Sequence, residues 1–229
     1  MRSFLFIVVF LFNPDIDYSK IFKSDYDEAI EFMESNEAIF ESVCSKFGNP
    51  PSIISSIVFP EAIRCSIVRD YLEKTTLELV YVNTGLADFS IGSFQIKPSF
   101  AERIEFYAAQ ENLTLETNVR TWFLYDSGLE EHEIRKERLN RLKDTGSQLN
   151  YINFFFCLLT DRFPELESID IEYLIRFVST AYNYDFEASK ESIIENMDGK
   201  FFPWGIYNDK EKFNYSDISW FYYEGISGE

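Results

Sequence analysis

The sequence predicts a mainly α protein, and two observations carry that expectation. Apolar residues recur at spacings of three and four over much of the chain, as in Ile63, Ile67, Val68, Tyr71 and Leu72, or Phe100, Ile104, Tyr107 and Ala108. That is the period of a helix with one face turned inward. Breakers stand between these stretches, at Gly48-Asn49-Pro50-Pro51, Asn83-Thr84-Gly85 and Phe163-Pro164, where helices stop and turns begin. The 229 residues are 46% hydrophobic and 26% charged, enough for one packed core without requiring a second domain.

Taken in order, Met1-Arg2 precedes an apolar run from Ser3 to Phe12. Its length suits the apolar region of an export signal and falls short of the roughly twenty residues that cross a bilayer. No Ala-x-Ala cleavage pattern follows, and a buried first strand or helix is the alternative. Residues 1–18 are set apart as a signal segment, and 19–229 form one domain with its core at about 50–190. On this reading the mature protein is exported and has no stable membrane span.

Tyr26, Ile30, Phe32, Met33, Ile39, Phe40 and Val43 suit one or two helices up to Phe47, and Ser52 can cap the next. Pro60-Glu61 then opens an apolar-periodic helix expected to run to about Val82, and Pro98–Asn112 reads as another. Residues 126–148 alternate in charge around Ile134, Leu139 and Leu142, the pattern of an exposed helix. Tyr151–Leu159 is an apolar run, unbroken after Asn153, expected as the buried central helix and continuing to about Arg162; Tyr173–Tyr182 follows as the next. The tail from Phe201 to Tyr223 is aromatic, acidic and broken by glycine and proline, so an irregular extension with short strands is expected.

Charge narrows the partners. With 21 Lys and Arg against 39 Asp and Glu the net charge is −18, a surface that repels phosphate backbones, so nucleic acid is excluded. Simple electrostatic adhesion to an anionic cell surface is disfavoured too. Cys44, Cys65 and Cys157 lack Cys-x-x-Cys spacing and predict neither a zinc site nor a disulfide scaffold. His132 is the only histidine and lies among charges, without a nucleophile motif beside it. No metal or cofactor is expected, and the oligomeric state is not readable.

Two positions between Ile57 and Phe100 carry chemistry. Glu61 sits between Ile57-Val58-Phe59 and the apolar face through Ile63, where packing does not call for an acid. A carboxyl among such side chains loses hydration, which disfavours its charged form and raises its pKa, as a general acid near neutrality requires. A solvated first-turn acid complementing the helix dipole is the plainer alternative. Further on, Gly92-Ser93-Phe94-Gln95-Ile96-Lys97-Pro98-Ser99 and Ala181-Tyr182-Asn183 complete a set of three elements in order.

The set resembles the soluble lytic transglycosylases and goose-type lysozymes. In that family a catalytic Glu precedes a Gly-Leu-Met-Gln-(Ile/Leu)-x-Pro-x-Thr signature, and Ala-Tyr-Asn comes later. The resemblance covers roughly 50–190 and implies a lysozyme-like helical domain that cleaves peptidoglycan strands between N-acetylmuramic acid and N-acetylglucosamine. It implies Glu61 as the acid/base, Gln95, Tyr182, Gly92, Phe94 and Asn183 as substrate contacts or braces, and Gly92 as the place where backbone approaches the glycan. Some of the 24 Phe and 14 Tyr are then expected as platforms for the apolar faces of sugar rings.

The departures from the pattern are specific. Ala62 stands where the family has Ser, Leu-Met has become Ser93-Phe94, and Glu61 lies 34 positions before Gln95, nearer to the goose-type spacing. Asp88, seven positions before Gln95, is the candidate second acid, against a plain role as a turn or cap residue. With it the enzyme would be a hydrolase; without it the substrate's own N-acetyl and 6-hydroxyl groups complete the reaction, the outcome narrowly favoured here. A catalytically silent glycan-binding protein on the same fold, or an acidic interaction protein with an accidental motif, remains open.

Overall fold

The computed structural model describes residues 16–68, 74–110, 117–204 and 211–228. It is mostly helical, with twelve α-helices and one short strand pair among those residues. The helices are α1 (Tyr18–Phe22), α2 (Ser24–Ser35), α3 (Glu37–Phe47), α4 (Pro51–Val68), α5 (Lys74–Thr84) and α6 (Pro98–Ala108), then α7 (Thr117–Thr121), α8 (Glu131–Lys143) and α9 (Thr145–Arg162). After a 3₁₀ turn over Pro164–Ser168 come α10 (Ile171–Asn183), α11 (Lys190–Asn196), the antiparallel pair β1 (Phe202–Pro203) and β2 (Lys212–Phe213), and α12 (Tyr215–Ser227). No helix among the described residues is long and apolar enough to cross a membrane.

The centre of the fold is α4. Ile53, Ile54, Ile57, Val58, Phe59, Ala62 and Ile63 are all buried, so this helix has apolar residues on every side, as a helix enclosed by others must. Helices α2, α3, α9, α10 and α12 pack around it. Phe59 shows how: its ring stacks on Tyr222 of α12 at 3.9 Å and meets Tyr26 of α2 edge-on at 5.1 Å. Helix α9, expected as the central one, is the second buried helix; Leu149, Ile152, Phe154 and Phe155 are fully enclosed.

Expectations are corrected at several points. Helix α4 begins at Pro51, so Pro60 lies inside it and Glu61 is a mid-helix residue, not a first-turn one. The expected helix to about Val82 is seen as α4 up to Val68 and as α5 from Lys74; the part over residues 69–73 lies outside the described residues. The tail does hold the expected short strands, β1 and β2, but it is not irregular throughout, because α12 contributes buried Tyr215, Ile218 and Tyr222 to the core against α4 and α10. Tyr18, set apart with the signal segment, is 3% exposed and packs on Phe22, Phe213 and Phe221, so the fold includes it. The remainder of that segment, residues 1–15, lies outside the described residues.

A second packing unit holds α5, α6, α8 and α9 together through a buried ion pair. Arg138 of α8 donates to Glu105 of α6 at 2.9 and 2.6 Å and to Glu102 at 2.9 Å. The other Glu105 oxygen accepts from the hydroxyls of Tyr125 and Tyr151, each at 2.6 Å. Tyr81 of α5 donates to Glu102 at 2.7 Å and accepts from Arg138. Every charge is met by hydrogen bonds, the condition under which a buried pair is tolerated. The charged run thus contains a core residue: Arg138 is enclosed, while His132 on the same helix is exposed.

Candidate active site

Glu61 is a carboxyl inside α4, a helix buried and apolar on every side. It is 6% exposed, and its Oε2 has no hydrogen-bond partner among the described residues. An unpartnered buried polar atom costs about 1–3 kcal/mol, so its retention in a core position calls for an explanation other than packing. Loss of hydration is the largest influence and pushes the carboxyl up to about 7, against the partial opposition of Arg64 and Lys97. Arg64, one turn on, stands 3.8 Å from Oε2, an ion-pair distance beyond hydrogen-bond reach.

Pro60 shapes the helix at this point. It has no N–H to give the carbonyl of Ser56, and its ring crowds the preceding turn. At the next carbonyl, that of Ile57, the hydroxyl of Tyr215 donates at 3.0 Å. Tyr215 is the first residue of α12, so the C-terminal helix braces the turn that carries Glu61. Burial first, and then the charge of Glu61, hold the phenols of Tyr215 and Tyr182 well above their ordinary range.

The Gln95 element is a tight loop closed by a two-way bridge. Ile91 N–H donates to Ile96 O at 3.0 Å and Ile96 N–H to Ile91 O at 3.1 Å. Between them Gln95 holds φ +51°, a left-handed conformation that costs a non-glycine residue about 1–3 kcal/mol and clusters at functional sites. Its side-chain amide donates back to Gly92 O at 2.7 Å, which fixes it inside the loop. The buried Gln148 of α9 holds the loop from below: its Oε1 accepts from Phe94 N–H at 2.9 Å, and its Nε2 donates to Ile91 O and Leu142 O at 2.7 and 2.6 Å.

The three sequence elements meet here. Cys65, four residues beyond Glu61 on the same face of α4, has its Sγ 3.8 Å from Gly92 O. Tyr182 of α10 donates its hydroxyl to Phe94 O at 2.8 Å and feels the charge of Glu61. The turn of α4 after Glu61 and Tyr182 of α10 therefore both touch the Gly92–Gln95 loop.

Other expected residues fall elsewhere. Phe94 is fully enclosed and packs edge-on to Phe32 and Phe40 at 6.0 and 5.8 Å; its side chain belongs to the core rather than to a substrate groove. Gly92 has φ +69°, and a Cβ there would lie 1.9 Å from Gln148 Nε2. The glycine leaves room for Gln148 on that side. Asn183 is exposed at the end of α10. Asp88 accepts from Ser99 N–H and Oγ at 3.1 and 3.0 Å, the plain capping role at the start of α6. Among the described residues no three of His, Cys, Asp and Glu are placed to hold a metal.

Arg64, Cys65, Gln148 and Tyr215 were missed by the sequence reading. The first two were legible as positions three and four residues after Glu61 on a helix. Tyr215 had a signal in Asn214, whose side chain accepts from Asp217 N–H as an N-cap does. Gln148, one polar residue at the end of a charged run, had none.

Comparison with protein-family models, with curated proteins and with solved structures found no match to this chain.

Proposed function

We propose that the protein cleaves peptidoglycan glycan strands between N-acetylmuramic acid and N-acetylglucosamine, with Glu61 as the single acid/base, on a lysozyme-like helical fold. The observation that carries the reading is the protonatable, enclosed Glu61 beside the Gly92–Gln95 loop and Tyr182. A carboxyl raised to about 7 is protonated for much of the time near neutrality, so it delivers a proton to the glycosidic oxygen as the bond breaks. The same burial favours an enzyme over a silent glycan binder, for which an unpartnered buried acid has no use. Gln95 and Tyr182 hold the loop that borders the sugar. The reading implies an exported protein.

The reaction proposed is the non-hydrolytic one. Hydrolysis by inversion needs a second carboxylate about 6.5–9.5 Å from the acid, and retention needs one at about 5–5.5 Å. Among the described residues the charges that act on Glu61 are those of Arg64 and Lys97, both cations, and Asp88 is engaged by Ser99. With one carboxyl, Glu61 first protonates the leaving oxygen; the N-acetyl group then supports the positive sugar carbon. Glu61, now a carboxylate, takes the proton of the sugar's 6-hydroxyl as that oxygen closes on C1. Mass spectrometry of muropeptides after digestion of purified peptidoglycan tests this. Anhydro ends, lighter by one water than hydrolysed ends, are expected; reducing ends that disappear in Asp88→Asn would identify a hydrolase.

A further inference from the structure

We infer that the protein exchanges helix α1 with a second copy of itself, so that Tyr18 and Phe22 of each chain fill an aromatic groove of the other. The groove is made by α12 and by the β1–β2 pair with Trp204. The exchange stands whether or not Glu61 cleaves glycan.

A single residue, Lys23, separates α1 from α2, and its chemistry does not call for a break. Lys23 holds φ +51° and ψ −120°; with Gln95 it is one of two non-glycine residues at positive φ among the described residues. That backbone region suits glycine and strains any residue with a side chain. Where α3 ends at φ +71°, Gly48 supplies it. Lysine is a good helix former, and at the start of α2 it makes no side-chain capping bond.

The sequence across the break reads as one helix. Tyr18, Phe22, Tyr26, Ala29 and Met33 follow one another at spacings of four, four, three and four, a single apolar stripe that runs straight past Lys23. Tyr18, Phe22, Ala29 and Met33 are buried and Tyr26 is half-buried. Neither glycine nor proline occurs between Tyr18 and Ser35. Asp25 and Asp27 suit a first turn, but Asp25 is also engaged by Trp204 Nε1 at 3.1 Å. The bend is therefore imposed by what α1 reaches.

Its reach is to the C-terminal part of the chain. Phe22 meets Phe213 at 5.2 Å, Trp204 at 5.4 Å and Phe202 at 6.4 Å, and Tyr18 meets Phe221 at 5.5 Å and Phe213 at 6.3 Å. The five residues of α1 are too few to hold a helix alone, so α1 is folded where this groove receives it. A groove that fits α1 of its own chain fits the same segment of a second copy with the same contacts, which is the condition for exchange of an identical element. In the closed chain those contacts require the strained Lys23. In the exchanged pair Lys23 is free to turn helical, so that α1 and α2 join along their common stripe; short strained hinges favour that outcome. Phe202 in turn packs on Tyr215 at 5.7 Å, and the Tyr215 hydroxyl holds the turn of α4 that carries Glu61. The second copy's α1 thus completes the packing behind that turn.

Light scattering on the full chain over a range of concentrations reads the dissociation constant of the dimer, and a dimer is expected. Lys23→Gly relieves the bend in the closed chain and weakens the joined helix, so it should raise that constant at least about tenfold. Lys23→Ala keeps a helix former at the junction and should leave the constant equal or lower. A photoreactive phenylalanine analogue in place of Tyr18 then locates α1. After irradiation the exchanged form should run as a covalent dimer on a denaturing gel, cross-linked to the peptide of Phe213 or Phe221, whereas a closed chain runs as a monomer. A monomer at every concentration, a dimer that Lys23→Gly leaves unchanged, or a cross-link confined within one chain overturns the exchange and leaves the reading of Glu61 as it stands.

Discussion

The hydroxyl of Tyr182 donates to the carbonyl of Phe94 at 2.8 Å, so the end of α10 holds the loop that contains Gln95. Tyr182→Phe removes the donor and leaves that carbonyl without it. The variant should lose about 1–3 kcal/mol of stability, and glycan turnover should fall roughly fivefold or more, the kinetic equivalent of about 1 kcal/mol. Urea unfolding and turnover on the same preparation check both. Unchanged stability would remove Tyr182 from its bracing role.

Two glycines with nearly the same backbone separate conformation from packing. Gly48 has φ +71° and nothing within 4 Å of where a Cβ would stand, whereas Gly92 has φ +69° with Gln148 Nε2 only 1.9 Å from that point. Gly48→Ala should cost about 1 kcal/mol, the left-handed penalty alone. Gly92→Ala should cost about 3 kcal/mol or more, because the loop or Gln148 must also move. Equal losses in urea unfolding would deny the contact between the loop and Gln148.

The pair formed by Arg138 and Glu105 predicts a non-additive result. Arg138→Met leaves a buried carboxylate uncompensated and should cost about 3–5 kcal/mol. Combined with Glu105→Gln, which removes that charge but still accepts from Tyr125 and Tyr151, it should cost less than the sum of the two single changes. Denaturant midpoints of the four chains test the cycle, and simple additivity would contradict the coupling.

Much of the helical frame was legible from the sequence. The stop at Gly48 and the start at Pro98 lie where those residue types dictate, and the amphipathic α10 was found within two residues of its ends. The failures have physical causes. Helix α4 is apolar all round, so it offers no contrast between faces, and Pro60 resembles a first-turn proline when it stands inside the helix. Helix α12 was hidden in an aromatic, punctuated tail although Asn214 caps it. At the site, Glu61, Gln95 and Tyr182 were marked by their motif. The enclosure of the Phe94 ring and the approach of Gln148 to Gly92 were not legible, because a motif gives order along the chain and says nothing about which side chains turn toward the core.

The burial of Glu61 has a thermodynamic consequence. Its carboxyl is raised from the ordinary 4.5 to about 7 in the folded chain. Across that interval the folded protein holds a proton that the unfolded chain has released, so this group's contribution makes stability fall as pH rises. Glu61→Gln removes the titration. Relative to the parent, the variant should gain up to about 3 kcal/mol between pH 4 and pH 8, read from urea midpoints at several pH values. A difference independent of pH would mean that Glu61 titrates like an exposed acid.

The central claim is that Glu61 is the proton donor and acceptor for glycan cleavage, and Glu61→Gln on purified peptidoglycan tests it most directly. The change keeps the size and hydrogen-bonding capacity of the side chain and removes its titratable proton. Release of soluble fragments should fall by at least about 10², the low end for general acid–base catalysis, while folding and glycan binding persist. Glu61→Gln with parental turnover would contradict that role.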